Sequence, residues 1–217
     1  EPDDRAIAQA RNMTGPVIFT DAADATSSGA SGDSNAILKA LLEARYTNRV
    51  LLPIVDPAAA AVAGKAGIGT EITVPLGGAH DTKRFTPVTV TGTVESLSRG
   101  RAILETMGRP IDSGTTAVLQ AANFTIVIMS KPAFLFDRAV FYANGCDPKR
   151  YDLIVVKSPH TEFHMFEQWA ERNFNIDAPG STSADLKSLG HSICKRPMFP
   201  LDGDLDFQPK AMHYRRR

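Results

Sequence analysis

Three short, almost wholly apolar runs, each ending on a polar residue and followed by a helix signal, set the architecture of this chain. Val17-Ile18-Phe19-Thr20 stops at Asp21, Val50-Leu51-Leu52-Pro53-Ile54 leads to Asp56-Pro57, and Leu153-Ile154-Val155-Val156 stops at Lys157-Ser158. Runs of this length with no polar alternation read as strands covered on both faces. Helices supply the cover. The spacing of Ile37, Leu38, Leu41 and Leu42 predicts a helix over about 34–45, with Lys39 and Glu43 as an outer i,i+4 pair. Asp56 and Pro57 form a helix start, with the carboxylate as N-cap and proline in the first turn. Strand and helix in alternation argue for a layered α/β domain.

The rest of the chain fits around that frame. Residues 3–13 predict a short helix with Ile7, Ala8, Ala10 and Met13 on its apolar side. Glu71-Ile72-Thr73-Val74-Pro75-Leu76 and Val88-Thr89-Val90-Thr91 alternate apolar and polar residues, the mark of half-buried antiparallel strands. A hairpin is expected around Ala122-Asn123 and helices over 134–143 and Glu162–Ala170, the last with Phe163, Phe166 and Trp169 turned inward. Phe174-Asn175-Ile176-Asp177 reads as a final short strand. The expected class is α/β: a mixed sheet flanked by helices, with an antiparallel β insert at about 69–130.

Composition removes whole classes of function. The 217 residues carry 24 Lys plus Arg against 24 Asp plus Glu, with 43% hydrophobic residues. That balance argues against a disordered chain. It also argues against general nucleic-acid or anionic-membrane binding, which draws on excess positive charge. No apolar stretch approaches the roughly 20 residues of a bilayer span. Cys146 and Cys194 form neither a disulfide framework nor a paired zinc module, in keeping with a reducing, cytoplasmic setting. The first residues, Glu1-Pro2-Asp3, lack Met, as expected of a piece of a longer protein.

Two segments concentrate polar chemistry. Residues 21–35 place Asp21, Asp24, Gly29, Gly32, Asp33 and Ser34 between a strand and a helix. Glycines there let backbone N–H groups approach a ligand, and a helix start favours an anion. One reading is therefore a small-molecule or anion site using the glycine loop at 27–35, in which Gly32→Val blocks uptake with little loss of fold. The other is a plain strand–helix connection with Asp33 or Ser34 as N-cap. The second segment, Lys157-Ser158-Pro159-His160-Thr161-Glu162-Phe163-His164, also follows a buried strand. His160 and His164 share a helix face and could hold zinc with a third ligand, but the order differs from the His-Glu-x-x-His of metalloproteases. A capping or hydrogen-bonding role is the alternative. His80 reads as part of a surface turn. No Gly-x-Ser-x-Gly elbow is present.

Taken in order, these motifs resemble the C-terminal domain of the microcystinase-C (MlrC-like) metallopeptidase family. The resemblance rests on the Asp21-x-x-Asp24 loop closing on Gly32-Asp33, on Leu76-Gly77-Gly78 and on Gly145-Cys146-Asp147-Pro148. It continues through Val155-Val156-Lys157-Ser158, Asp177-Ala178-Pro179-Gly180-Ser181-Thr182 and Arg196-Pro197-Met198-Phe199-Pro200-Leu201-Asp202. It implies residues 1–13 as a linker or short helix from a missing N-terminal domain, 14–205 as the C-terminal α/β domain, and 206–217 as a tail. It implies zinc in the full-length protein, held by the N-terminal catalytic domain and by no residue here, and a peptide-like substrate. No catalytic residue is expected in this chain, nor a nucleic-acid or membrane partner. The residues expected along the substrate cleft or domain interface are Asp21, Asp24, Gly29, Gly32, Asp33, Ser34, Lys157, Ser158 and His160. Among them Asp21 and Lys157 are expected to end neighbouring strands and pair, and Lys157→Met to lower turnover while leaving the fold intact.

Overall fold

The computed structural model describes residues 3–203, 205–206 and 208–215. Residues 1–2 of the expected linker, and 207 and 216–217 of the expected tail, lie outside the described residues. The chain forms two compact units, residues 1–183 and 184–217.

The first unit is built on an eight-stranded sheet. Its strands are β1 (Val17–Asp21), β2 (Val50–Val55), β3 (Glu71–Leu76), β4 (Val88–Ser98), β7 (Thr116–Ala121), β8 (Phe124–Met129), β9 (Leu153–Val156) and β10 (Arg172–Ile176). Their spatial order is β10-β1-β9-β2-β8-β7-β4-β3. The first five run parallel, and β7, β4 and β3 follow antiparallel. The mixed sheet and the antiparallel stretch are as the sequence predicts, and the insert extends the main sheet rather than forming one of its own. A separate two-stranded ribbon pairs β5 (Arg101–Ile103) with β6 (Pro110–Asp112).

Alternate residues of the buried strands serve opposite faces. Val17, Phe19, Val50, Leu52 and Ile54 pack with α1 (Asp3–Ala10), α2 (Ala36–Glu43) and α3 (Pro57–Ala66). Ile18, Leu51, Val55, Ile154 and Val156 pack with α4 (Ala139–Ala143) and a π-turn over Phe163–Glu167. Helix α1 contributes Ala6, Ile7 and Ala10 to the first of these cores.

Strand β4 changes partner along its length. Only Thr93–Ser98 of β4 pair with β7, with a register shift between Val94 and Ser96, while Val88–Thr93 pair with β3. Gly92 permits the close approach to β7 at the changeover: a Cβ there would lie 2.5 Å from the Gln120 carbonyl oxygen. The hairpin then lays Ile72, Val74, Leu76 and Val90 into the core beside α2 and α3. Its connecting loop returns to the edge where β1, β2 and β9 end.

Local expectations meet mixed outcomes. Asp56 caps α3, accepting the Ala59 N–H at 2.9 Å, as expected. The Lys39–Glu43 pair forms at 3.9 Å. The helix expected over 134–143 shrinks to Ala139–Ala143. The one expected over Glu162–Ala170 is a π-turn, closed by the Gln168 N–H on the Phe163 carbonyl at 2.8 Å. The wider i→i+5 turn breaks the spacing of three, so Phe166 is buried but Phe163 is 65% exposed.

In the second unit, Asp202 accepts hydrogen bonds from the Arg196 side chain and from the Met198 N–H. The Arg196 hydrogen bond, with that of Met198, brings the Asp202 carboxyl down to about 2.

Asp56 also accepts the Gly77 N–H at 2.9 Å while itself only 4% exposed. Asp56→Ala leaves both donors unpaired and is expected to cost about 2–3 kcal/mol, read from urea unfolding.

Candidate cleft wall at the strand ends

Strands β1 and β9 are neighbours, and their connections leave in opposite senses. β1 leads through α2 to β2, on the far side of β9; β9 leads through the π-turn to β10, on the far side of β1. In open α/β sheets ligands gather outside the carboxyl ends of strands at such a point.

A buried ion cluster lies just beyond those ends. The Lys157 Nζ donates to Asp24 Oδ2 at 2.6 Å and to the Ser34 carbonyl at 2.8 Å. Asp21 Oδ2 lies 4.0 Å from the same ammonium, and all three charged side chains are 2% exposed. The expected pairing of Asp21 with Lys157 is thus present, but Asp24 is the closer partner.

Each carboxylate is also tied to backbone. Asp21 Oδ1 accepts the Ala23 and Asp24 N–H groups. Asp24 accepts the Gly32 N–H at 2.9 Å and the Ser34 N–H at 2.8 Å. Two N–H groups that would greet an anion, those of Gly32 and Ser34, are thus spent on Asp24, and the neighbouring carboxylates of Asp21 and Asp33 further disfavour an anion there. Gly32→Val is also no mild change: Gly32 has φ +78°, and a Cβ there would lie 2.7 Å from Val55 and Thr26 side-chain carbons.

Asp33 does not cap α2. It is wholly buried, takes the Ser31 hydroxyl, and accepts the His80 N–H at 2.7 Å and the Asp81 N–H at 3.3 Å. Burial works to raise its pKa, but the hydrogen bonds from Ser31, His80 and Asp81 outweigh it and hold the carboxyl below the ordinary range. Asn35 holds the N-cap position, yet its amide donates instead to the carbonyls of Leu76 and Thr86 at 2.8 and 2.9 Å. Ser34 takes the Ala36 N–H at a long 3.3 Å.

Ser158 is buried, its hydroxyl donating to the His160 carbonyl. Gly29 is exposed with φ +97°. His160 is exposed, with Nε2 3.7 Å from Glu162. Of the expected residues, then, Asp21, Asp24, Gly32, Asp33, Ser34, Lys157 and Ser158 are buried at the strand ends, and Gly29 and His160 are exposed.

Sequence reasoning missed two supports. The 177–182 segment closes over the Asp21–Asp24 loop: Thr182 donates its hydroxyl to the Ala22 carbonyl at 2.8 Å and its N–H to the Ala23 carbonyl at 2.9 Å. Gly180 is required there, since a Cβ would lie 2.1 Å from the Ala23 oxygen. The 77–86 loop is the other, held by Asp33, Asn35 and Asp56. The signal available for it was the Gly77-Gly78 pair, whose first member would press a Cβ to 2.6 Å from the Asp33 oxygen.

A metal does not suit this donor set. The carboxylates already face an ammonium and backbone N–H groups, and no imidazole joins them. Among the described residues no group of three or more His, Cys, Asp or Glu is placed to hold a metal ion, and His160 and His164 gain no third ligand.

Lys157→Met leaves two carboxylates buried without their cation, so the expectation of an undisturbed fold is replaced by a loss of about 3–5 kcal/mol in chemical denaturation. The two carboxyls tilt stability with pH in opposite senses. Burial raises the Asp21 pKa, with Lys157 opposing and Asp24 adding to it. The folded state then holds a proton that the unfolded state releases near pH ~3.9, and stability falls as pH rises from there through the raised value. Asp21→Asn should flatten that slope. The lowered Asp33 contributes stability that is present above the ordinary carboxylate range and lost as pH falls through the folded pKa, so Asp33→Asn should blunt acid unfolding.

Comparison with known proteins now bears on this arrangement. The family described as "MlrC C-terminus" matches residues 19–192. Microcystinase C from Sphingomonas sp. is 27% identical over 154 residues, covering 71% of this chain and 29% of that protein. A crystal structure of a proposed metallopeptidase from Mesorhizobium sp. BNC1 superposes with a TM-score of 0.81 at 28% identity, covering 93% of this chain and 41% of that one. The chain therefore spans well under half the length of these relatives. No helix among the described residues is long and apolar enough to cross a membrane. With the match extending over most of its length and the strand-end motifs assembled as described, the chain belongs to the MlrC C-terminus family.

Proposed function

We propose that this chain is the cleft-forming domain of a zinc-dependent hydrolase of peptide-like amide bonds, whose metal ligands lie in a part of the protein outside these residues. One observation carries the reading. Four of the segments that carry the family resemblance come from distant parts of the sequence: 21–35, 76–78, 155–158 and 177–182. They interlock through buried and half-buried hydrogen bonds at the carboxyl edge of the sheet: Asn35 to Leu76, Lys157 to Asp24, and Thr182 to Ala22. A fold can be held together without gathering its polar cost at one edge, and buried polar networks are costly unless fully satisfied. Rigid scaffolds of this kind position loops for binding.

On this reading the chain's residues orient rather than react. Lys157 fixes the Asp24 loop, Asp24 shapes the 32–34 turn, and Asp33 holds the 77–86 loop. The exposed rim at Gly29 and His160 is what a facing domain or a peptide would meet. Zinc supplies Lewis-acid activation of a water or carbonyl when bound elsewhere in the protein. The name of the Sphingomonas relative and the metallopeptidase assignment of the Mesorhizobium one support hydrolysis of a peptide-like bond.

The test compares this chain alone with the protein at its full encoded length, each given zinc and a panel of quenched-fluorescent short peptides. Hydrolysis is expected only at full length. His160→Ala should lower kcat/KM by about tenfold, the scale of one lost contact in the transition state, without changing zinc content. Stoichiometric zinc and peptide cleavage by this chain alone would overturn the reading.

A further inference from the structure

A half-open cavity lies away from the strand-end cluster, where β4 passes from β7 to β3. It has a volume of about 360 Å³ between the C-terminal half of α2, the middle of the first half of β4 and the β7–β8 turn. Its wall is mainly apolar: Leu38, Leu41 and Leu42 from α2, with Val90, Phe124 and Ile126 from the strands. A volume of this order suits a small ligand, sites for which range over roughly 300–1,000 Å³.

Two further features converge on it. Arg45 and Ala122, both lining it, are the two non-glycine residues with left-handed φ among the described residues, at 51° and 50°. One follows the end of a helix and the other sits in a hairpin turn, places where glycine adopts this conformation without strain. A side chain is kept at each, and strain of this kind clusters at ligand sites. The Arg45 guanidinium, exposed at the mouth, has no ion pair or hydrogen bond with another described residue. Tyr46 also lines the cavity, but its hydroxyl is buried out of reach of it, on the side of Asn48 and Asp152.

We infer that this cavity binds a small amphipathic carboxylate, its apolar body among the α2 leucines, Val90, Phe124 and Ile126, and its anionic end at Arg45. The inference does not depend on the hydrolase reading and is tested on this chain as it stands. Isotope-labelled protein is titrated with octanoate and with 4-phenylbutyrate, followed by amide chemical shifts. Saturable one-to-one shifts are expected at 42–47, 89–91 and 121–124, with a Kd of about 0.1–1 mM for ligands of this size. Thr89→Trp, an exposed strand position on the cavity wall, should abolish the shifts and leave the thermal midpoint unchanged. Arg45→Gly should raise the thermal midpoint by relieving the left-handed residue while weakening binding about five- to tenfold. Absence of saturable shifts with both acids, or shifts that survive Thr89→Trp, would overturn the inference.

Discussion

Everything at the carboxyl edge of this sheet depends on one buried ammonium. Lys157, delivered by the end of β9, stands between the carboxylates of Asp24 and Asp21 and also donates to the Ser34 carbonyl. Charges taken out of water are tolerable only when paired and hydrogen-bonded. Here each carboxylate has its backbone donors and the ammonium has its acceptors, so the cost is met by geometry. The consequence is a loop whose shape is dictated from within: Asp24 curls the 25–34 segment back on itself by holding Gly32 and Ser34. Gly32 there serves close packing against Thr26 and Val55.

From that centre the other segments are built outward. The 177–182 stretch is laid on the Asp21–Asp24 loop by Thr182 and Gly180. The 77–86 loop is drawn across by Asp33, Asn35 and Asp56. Each tie spends a buried or half-buried polar atom on backbone belonging to a remote part of the chain. Such ties confer little net stability per bond, of order 1 kcal/mol, but they specify one arrangement among many. A rim held this firmly is suited to meeting another surface, which is why the proposed role is that of a wall and not of a reactive centre.

The sequence and the structure agree best where a residue's behaviour is set by near neighbours. The all-apolar runs at 17–20, 50–54 and 153–156 could only be buried strands. Asp56-Pro57 could only open a helix, and the alternation at 71–76 and 88–91 gave half-buried antiparallel strands. Agreement failed where a local signal had a distant competitor. Asp33 has the chemistry of an N-cap, but the backbone of His80 and Asp81 claims its carboxylate. Phe163, Phe166 and Trp169 have the spacing of a helical face, but a π-turn rotates Phe163 into solvent. Glycine density at 29–32 suggests an anion cradle, but Asp24 fills it first.

Sequence alone determined the α/β class, the strands that must be buried, and which polar residues stand at their ends, because hydrophobic periodicity and capping act over a few residues. Beyond the expected approach of Asp21 to Lys157, tertiary structure alone decided which of those polar residues meet. The order β10-β1-β9-β2 puts Lys157 beside Asp21 and Asp24, 133 positions away from the latter, and the fold of the β3–β4 hairpin carries His80 back to Asp33. Whether a carboxylate binds a ligand, caps a helix or locks a loop depends on what the low-dielectric interior brings within 3 Å of it, and no local pattern in the chain encodes that encounter.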